Sequence, residues 1–555
     1  LALVWAIFSL LLLSSSRVDG HLQDGQNGSG IHEEALIEEY IQQVGSEQYD
    51  FAALEEFSLR IVSKGVRSAD SKQQLASIYG AQLAGVHIPI DVIAAGIRSE
   101  HLATQLACIQ MIARFQDDRC DDLLLKAMSS QFLAARLEAA FALSIRKHPA
   151  AVGQIEALLT QIPPSMHFIF PEFFAMIGTK ESIGSLCLLM DDPDINCRTE
   201  ALLSAGRHRR DDLLPKILKR ATHHHPAIQE ATAYSLALLQ HSASLKHLKK
   251  LLSNSSTHVQ VAAARGLIHF RDPDGADWIS ALVIAKNLYA IQVAGEEGIC
   301  SDALAKLTQD GDIQVRINAA IALLNIGDRR AWPAIGEILL HDNRDLGIVA
   351  LPSPGRSLSM WKVLTSLTQQ QQQVGDHSDL FAINLEIRED LLRRSINLGE
   401  ACFLEIAEKI FAYQQTELIP LLCFLLETVD SKGAVALLEE KAHLPGFPLV
   451  RVYAALSLYR MGIVGGHEEQ LKNWLRLHQK VEFLQFRHPL PLYKRPLISR
   501  YDLSPEETSR LLIEIYQAIA DRHTKEGIDL ILRAMRHNSA TTRPALAGLL
   551  LRALQ

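Results

Sequence analysis

The chain has 555 residues, too many for one ordinary hydrophobic core. Apolar residues make up 48% and aromatics only 6%, a composition that favours an all-helical protein. The net charge of −8 is mild for this length; it excludes wholesale nucleic-acid binding but leaves room for a local basic patch.

Residues 1–13 are almost wholly apolar, and Ser14–Ser16 with a polar run to Gly30 follow. This is the pattern of a secretory signal peptide, expected over 1–20. The basic leading segment is missing and the first residue is Leu. A start further upstream, a non-standard start codon and a misplaced gene start all fit. The run is shorter than the ~20 residues of a membrane span. An exported (periplasmic or secreted) location is expected if the segment is a signal peptide, and a cytoplasmic one otherwise. A linker and first helix occupy 21–48.

Residues 49–340 form the main array. Its clearest unit runs from Asp310 to Gly327. Ile313, Ile317, Ala320, Leu323 and Leu324 make one apolar stripe at helical spacing. Asp312 is placed to cap the start, and Gly327 to end the helix in the left-handed conformation. A second helix runs from Trp332 to Leu340, with Pro333 in its first turn. Aligning the chain on Ala319 gives Ala107, Ala139, Phe170, Ala201, Thr232, Ala263 and Ala294. The steps are 32, then 31 five times, then 25. Such a period is the signature of stacked helix pairs, none of which buries its stripe alone.

Residues 341–385 break the pattern, with a turn at Leu351–Gly355 and a glutamine run at Gln369–Gln373. Helical periodicity returns over 386–480. A second irregular loop covers 481–503. Closing helices occupy 504–555, opened by a Ser504 cap, Pro505 and Glu507. About a dozen pairs advancing ~10 Å each imply an arc on the order of 100 Å with an extended concave face.

The pattern Val315-Arg316-x-x-Ala319-Ala320-x-Ala322-Leu323 resembles the HEAT-like family, in particular the short repeats of the phycobilisome-lyase type. It recurs at Leu449–Leu458 and faintly at Thr542–Leu550. The resemblance implies an all-α fold, an α-solenoid of antiparallel helix pairs of HEAT-like or armadillo type. It also implies structural roles at the repeat positions. Asp310 with Arg316 and Asp192 with Arg198 match pairs that form a hydrogen-bonded ladder in that family. Arg136 and Arg451 fall at the same site as these arginines. Deoxyhypusine hydroxylase shares the fold and holds iron with His-Glu dipeptides inside its repeats. Here the matching positions are Leu137-Glu138, Thr199-Glu200, Glu230-Ala231, Val261-Ala262 and Ile317-Asn318, which excludes that activity.

No catalytic, cofactor-binding or metal-ligating set is assigned, since no H-E-x-x-H, phosphate-binding loop or G-x-S-x-G occurs. The seven cysteines are scattered without a C-x-x-C, and Cys108 and Cys197 read as small core residues. His223, His224 and His225 read as a solvated turn or as an adventitious metal site. A candidate interaction patch comprises Arg207, Arg209, Arg210, Lys216, Lys219, Arg220, Lys246, Lys249 and Lys250. It reads either as a solvated rim or as a site for an acidic protein, anionic lipid or nucleic acid. A candidate interface loop carries Phe486, Arg487, Tyr493, Lys494 and Arg495. The function expected is that of an exported bacterial scaffold binding an unknown protein partner, with no covalent chemistry. A lyase-like or enzyme-associated role, and a membrane-surface or nucleic-acid binder, are the alternatives.

Overall fold

The computed structural model describes residues 49–85, 90–113, 115, 118–340, 388–413, 415–478, 505–537 and 542–555. Among these residues every regular element is a helix. In chain order they are α1 (Phe51–Gly65), α2 (Ser71–Leu83), α3 (Ile90–Ile97), α4 (Leu102–Ile112), α5 (Asp118–Ala127), α6 (Leu133–Ile145) and α7 (Ala151–Leu159). Then come α8 (Phe170–Ile177), α9 (Lys180–Leu189), α10 (Ile195–Arg207), α11 (Leu214–Arg220), α12 (Pro226–Leu239), α13 (Ser244–Leu251) and α14 (Thr257–His269). They continue as α15 (Pro273–Ile284), α16 (Leu288–Glu296), α17 (Ser301–Leu307), α18 (Ile313–Ile326) and α19 (Trp332–Leu340). The last are α20 (Glu400–Ala412), α21 (Ile419–Val429), α22 (Lys432–Ala442), α23 (Pro448–Arg460), α24 (His467–Leu477), α25 (Pro505–Ala520), α26 (Lys525–His537) and α27 (Arg543–Ala553). The protein is an all-α solenoid of helix pairs.

The chain divides into two compact units, one of 1–143 with 426–555 and one of 144–425. In the second unit, helices α8, α10, α12, α14, α16 and α18 form one layer. The mostly shorter α7, α9, α11, α13, α15 and α17 form the other. Small residues let the first layer close up. A Cβ on Gly206 would lie 2.7 Å from the Ser235 backbone, and one on Gly295 would lie 2.5 Å from that of Ala322. The short helices touch one another far less. An array spaced more tightly on one side bends toward that side, so the long-helix layer is the concave face of this unit.

The central unit forms as its residues dictate. Asp312 accepts from the Gln314 amide, α18 spans Ile313–Ile326, and Gly327 ends it at φ 81°. The register needs one correction. Ala107 is partly exposed, whereas its neighbour Cys108 is fully buried. The in-phase series is Ser77, Cys108 and Ala139 in the first unit, then Phe170, Ala201, Thr232, Ala263, Ala294 and Ala319 in the second. All nine are 0% exposed. The irregular step of 32 disappears, because a thiol is as small and apolar as an alanine at a helix contact.

A polar ladder runs beside this series. Gln74, Gln105, Gln260 and Arg316 each donate to the carbonyl six residues before them, on Ser68, Ser99, Asn254 and Asp310 (2.6–3.0 Å). The side chains of those turn residues accept from the amide two residues on, which caps the turn. Turns also bond to the preceding repeat: Ser99 to Gln74, Ser130 to Gln105, Asp192 to His167 and Asn254 to Gln229. Such bonds are worth about 1 kcal/mol each, and more when buried partners would be orphaned. The expected Asp310–Arg316 pair is therefore different in kind. Arg316 takes the Asp310 backbone oxygen, while the Asp310 carboxylate pairs with Lys286 at 2.8 Å. The Asp192 carboxylate likewise takes the Asp194 amide and His167. Arg451 sits partly buried on α23, and Ala454, three residues on, is fully buried as Ala319 is.

In the first unit the closing helices are not a free cap. Helix α27 is apolar nearly all round, as a helix buried on every side must be, and it packs on α1 and α2. A Cβ on Gly548 would lie 1.9 Å from the Gly80 carbonyl oxygen, and one on Gly80 would lie 2.1 Å from that of Pro544. Paired glycines thus bring the two backbones into direct contact. Gln555 and Arg552 then donate to the carbonyls of Ala84 and Leu83 at the end of α2.

Candidate functional site

The concave layer of the second unit carries a row of ionisable side chains that break its apolar pattern. In one register, a repeat apart, stand Glu172, Leu203, Tyr234, Arg265 and Glu296 on α8, α10, α12, α14 and α16. Around them lie two clusters.

In the first cluster Glu172 accepts from Arg207 at 2.6 Å, Ser204 at 2.8 Å and His208 at 2.9 Å. Burial alone would raise its carboxyl, but the bonds from His208 and the charge of Arg207 outweigh that and hold it at about 2. Arg207 also pairs with Glu200 one helical stretch earlier. Glu200 is 4% exposed, and burial keeps its carboxyl above the usual range despite Arg207.

In the second cluster Arg265 bonds Glu297 at 2.8 Å and lies 3.3 Å from Glu296. The Arg265 guanidinium also sits 5.7 Å from the Tyr234 ring centre. His269 sets one ring nitrogen against the Ala237 carbonyl and the other against Glu297 at 3.0 Å. Two acceptors favour the doubly protonated ring, so its pKa is raised, chiefly by the Glu297 bond. Glu297 is lowered, its burial being outweighed by His269 and Arg265. Glu296 goes the other way, pushed up to about 7 by burial that Arg265 only partly offsets. Arg394 adds a further charge near Glu296 and bonds Asn325 on α18.

This row can hydrogen-bond and pair charge with something laid along it. It holds no nucleophile beside a base: Ser204 is fully buried and spends its hydroxyl on Glu172. Among the described residues no three His, Cys, Asp or Glu side chains converge as metal ligands.

The nine-residue basic patch does not survive as one surface. Arg207 faces inward into the cluster above. Arg210 donates to the Ala175 carbonyl at 2.8 Å. Lys216 and Arg220 both pair with Asp191, and Lys249 pairs with Asp272 and Asp274. Four cations are thereby paired with carboxylates of this chain, and Arg210 is held, still charged, by a backbone carbonyl. Lys249 stays exposed in its pair, and Arg209, Lys219, Lys246 and Lys250 are exposed with no ion pair among the described residues. The candidate loop at Phe486, Arg487, Tyr493, Lys494 and Arg495 lies outside the described residues, as do the segments 1–48 and 341–387.

The histidine turn resolves as structure. His225 caps α12 by accepting from the Ala227 amide, and His223 accepts from the His225 amide. His223 and His224 stack at 4.3 Å. These rings take the place that Ser, Asn and Asp fill in the other turns. Cys108 and Cys197 are fully buried, and burial pushes both thiols up.

The sequence reading missed both clusters. Their signal was present: Arg265 precedes Glu296 by one repeat length, and Arg207 follows Glu172 by a little more than one. Charged residues at one repeat spacing on otherwise apolar helices are the pattern to search for.

Residues 185–268 match the family model of HEAT repeats. No curated protein matches the chain. Among solved structures, the complex of CpcE and CpcF of phycocyanin lyase from Nostoc sp. PCC7120 is 19% identical, over 39% of this chain and 92% of that one, with a TM-score of 0.29. Yeast importin-beta is 11% identical, over 98% of this chain and 93% of that one, with a TM-score of 0.32. The chain is a HEAT-like repeat protein.

Proposed function

We propose that this HEAT-like repeat protein is a non-catalytic scaffold that holds a protein partner along the concave layer of its second unit. The observation that carries the reading is the row Glu172, Tyr234, Arg265 and Glu296. It offers polar or aromatic contacts spaced by helix packing, roughly 10 Å per repeat. A linear row fits an extended polypeptide, whereas catalysis needs groups that converge on one atom. The reading includes export, on the strength of the apolar run at 1–13. Cell fractionation tests that part, and recovery only in the cytoplasm removes it.

The test of the main reading is site-specific. A photo-crosslinking phenylalanine analogue replaces Tyr234 on the concave layer, and in a second variant Gly184 on the outer layer. One recurrent protein captured from position 234 and absent from position 184 is expected. Capture from position 184 alone, or from neither, refutes the assignment of the concave layer.

A further inference from the structure

The outer layer of the second unit carries a surface of a different kind. Five of the nine basic residues at 207–250 are tied up within the chain, the exposed Lys249 among them, and the three exposed cations on the short helices that are not so tied are all lysines: Lys219 on α11, and Lys246 and Lys250 on α13. None of the three makes an ion pair among the described residues. Lys219 and Lys250 occupy the same register, 31 residues apart on successive helices. The residue one repeat before Lys219 is Leu188 on α9, which is 75% exposed. The residue one repeat after Lys250 is Ala281 on α15. Trp278 lies on that same face, three residues away, at 37% exposure, with Ile284 three residues on at 72%.

The stripe thus reads Leu188, Lys219, Lys246 with Lys250, then Trp278 with Ile284. It crosses four adjacent helices, about 30 Å at one packing distance per step. Other acids of these helices stand at or just before their N-terminal ends, at Glu181, Asp212 and Asp274. Asp277 lies within the stripe, and the exposed Asp191 borders it three residues after Leu188, where Lys216 and Arg220 offset its charge.

We propose that this stripe docks the protein on an anionic phospholipid bilayer. The chemistry selects that occupant. Lysine is depleted at protein interfaces, where arginine is enriched, and the Arg207, Arg210 and Arg220 guanidiniums are spent internally. Compact ammonium groups on exposed stems suit anionic headgroups. Large aliphatic side chains and a tryptophan at the same level suit the interfacial zone beneath them. Single-stranded nucleic acid needs a run of aromatic platforms, and the stripe offers Trp278 alone. The stripe lies on the opposite layer from the protein-binding row, so one surface is free while the other is occupied.

The test uses the full chain with sedimentation of two kinds of vesicle, phosphatidylcholine alone and phosphatidylcholine with phosphatidylserine. Binding to the anionic vesicles only, weakened by salt, is expected. At roughly 1 kcal/mol per lysine, the triple variant Lys219→Gln, Lys246→Gln, Lys250→Gln loses about 100-fold in partitioning. All three side chains are exposed, so its melting curve matches wild type. Leu188→Ser with Ile284→Ser weakens binding and leaves its salt dependence in place. No partitioning of the wild type, equal partitioning to neutral vesicles, or an unaffected triple variant overturns the proposal. Retention of an acidic protein or of nucleic acid without any vesicle binding overturns it as well.

Discussion

Replacing Gly548 by alanine should destabilise the first unit, although alanine is the better helix former. In a free helix the change gains up to about 1 kcal/mol. Here the new Cβ would lie 1.9 Å from the Gly80 carbonyl oxygen, and no side-chain rotation can relieve a contact with backbone. Reaching an ordinary contact requires α2 and α27 to part by about 1.5 Å, which loosens the buried face of α27 along its length. Overpacking of this kind costs typically 1–3 kcal/mol, and a backbone partner places it toward the upper end. A net loss of roughly 2 kcal/mol should lower the melting point of a unit of this size by about 4–8 °C. The control is Gly184→Ala in the middle of α9, where nothing lies within 4 Å of the new Cβ. That change should stabilise the second unit by about 0.5–1 kcal/mol. Scanning calorimetry of the full chain reads both. If Gly548→Ala raises its transition as Gly184→Ala does, the backbone contact between α2 and α27 is not there.

Three further outcomes follow from the described geometry. Ala319→Asp places a carboxylate at a fully buried helix contact and should unfold the surrounding repeats, read as loss of cooperative melting; a wild-type curve would refute the register. Glu296→Gln tests a pH dependence. Its carboxyl is raised to about 7, so its contribution is fully present below its unfolded value, near 4.5, and is lost as pH rises through 7. That loss is at most about 3 kcal/mol. The variant should flatten the fall in stability between those limits, and an unchanged slope in urea titrations would remove Glu296 as its source. Gln105→Ala deletes the bonds to the Ser99 carbonyl and from Ser130, and should cost about 1–3 kcal/mol in chemical denaturation. A loss under a few tenths would mean that the ladder is ornamental.

The array was legible because its period is carried by size. Seven of the nine buried positions are Ala, Ser or Cys at a nearly constant step, with Phe170 and Thr232 held by phase, and Asp312 and Gly327 announce the ends of α18 locally. The slip at Ala107 arose because cysteine and alanine are equivalent at such a contact and alanine was the template. The basic patch misled for a different reason. Counting charges along a window cannot see that Asp191 lies 25 residues before Lys216, or that Asp272 reaches Lys249, until the register folds them together. Both clusters were hidden for the same reason. Arg265 and Glu296 are far apart in sequence and adjacent in the layer, and only the exact step reveals it. The contact of α27 with α1 and α2 had no periodic signal at all. It was written only in an apolar helix with no solvated side and in two glycines.

That last contact has a consequence for synthesis. Arg552 bonds the Leu83 carbonyl across 469 residues of chain. Domains tend to fold as the chain emerges, N-terminal first, at about 5–20 residues per second. Here α1 and α2 lack the helix that covers them until α27 has also emerged, roughly 25–95 s later at those rates. The second unit is contiguous and can form in the meantime. The α1–α2 face therefore stays uncovered throughout the synthesis of the residues between it and α27, and that face is where factors that shield apolar surface are needed in the meantime.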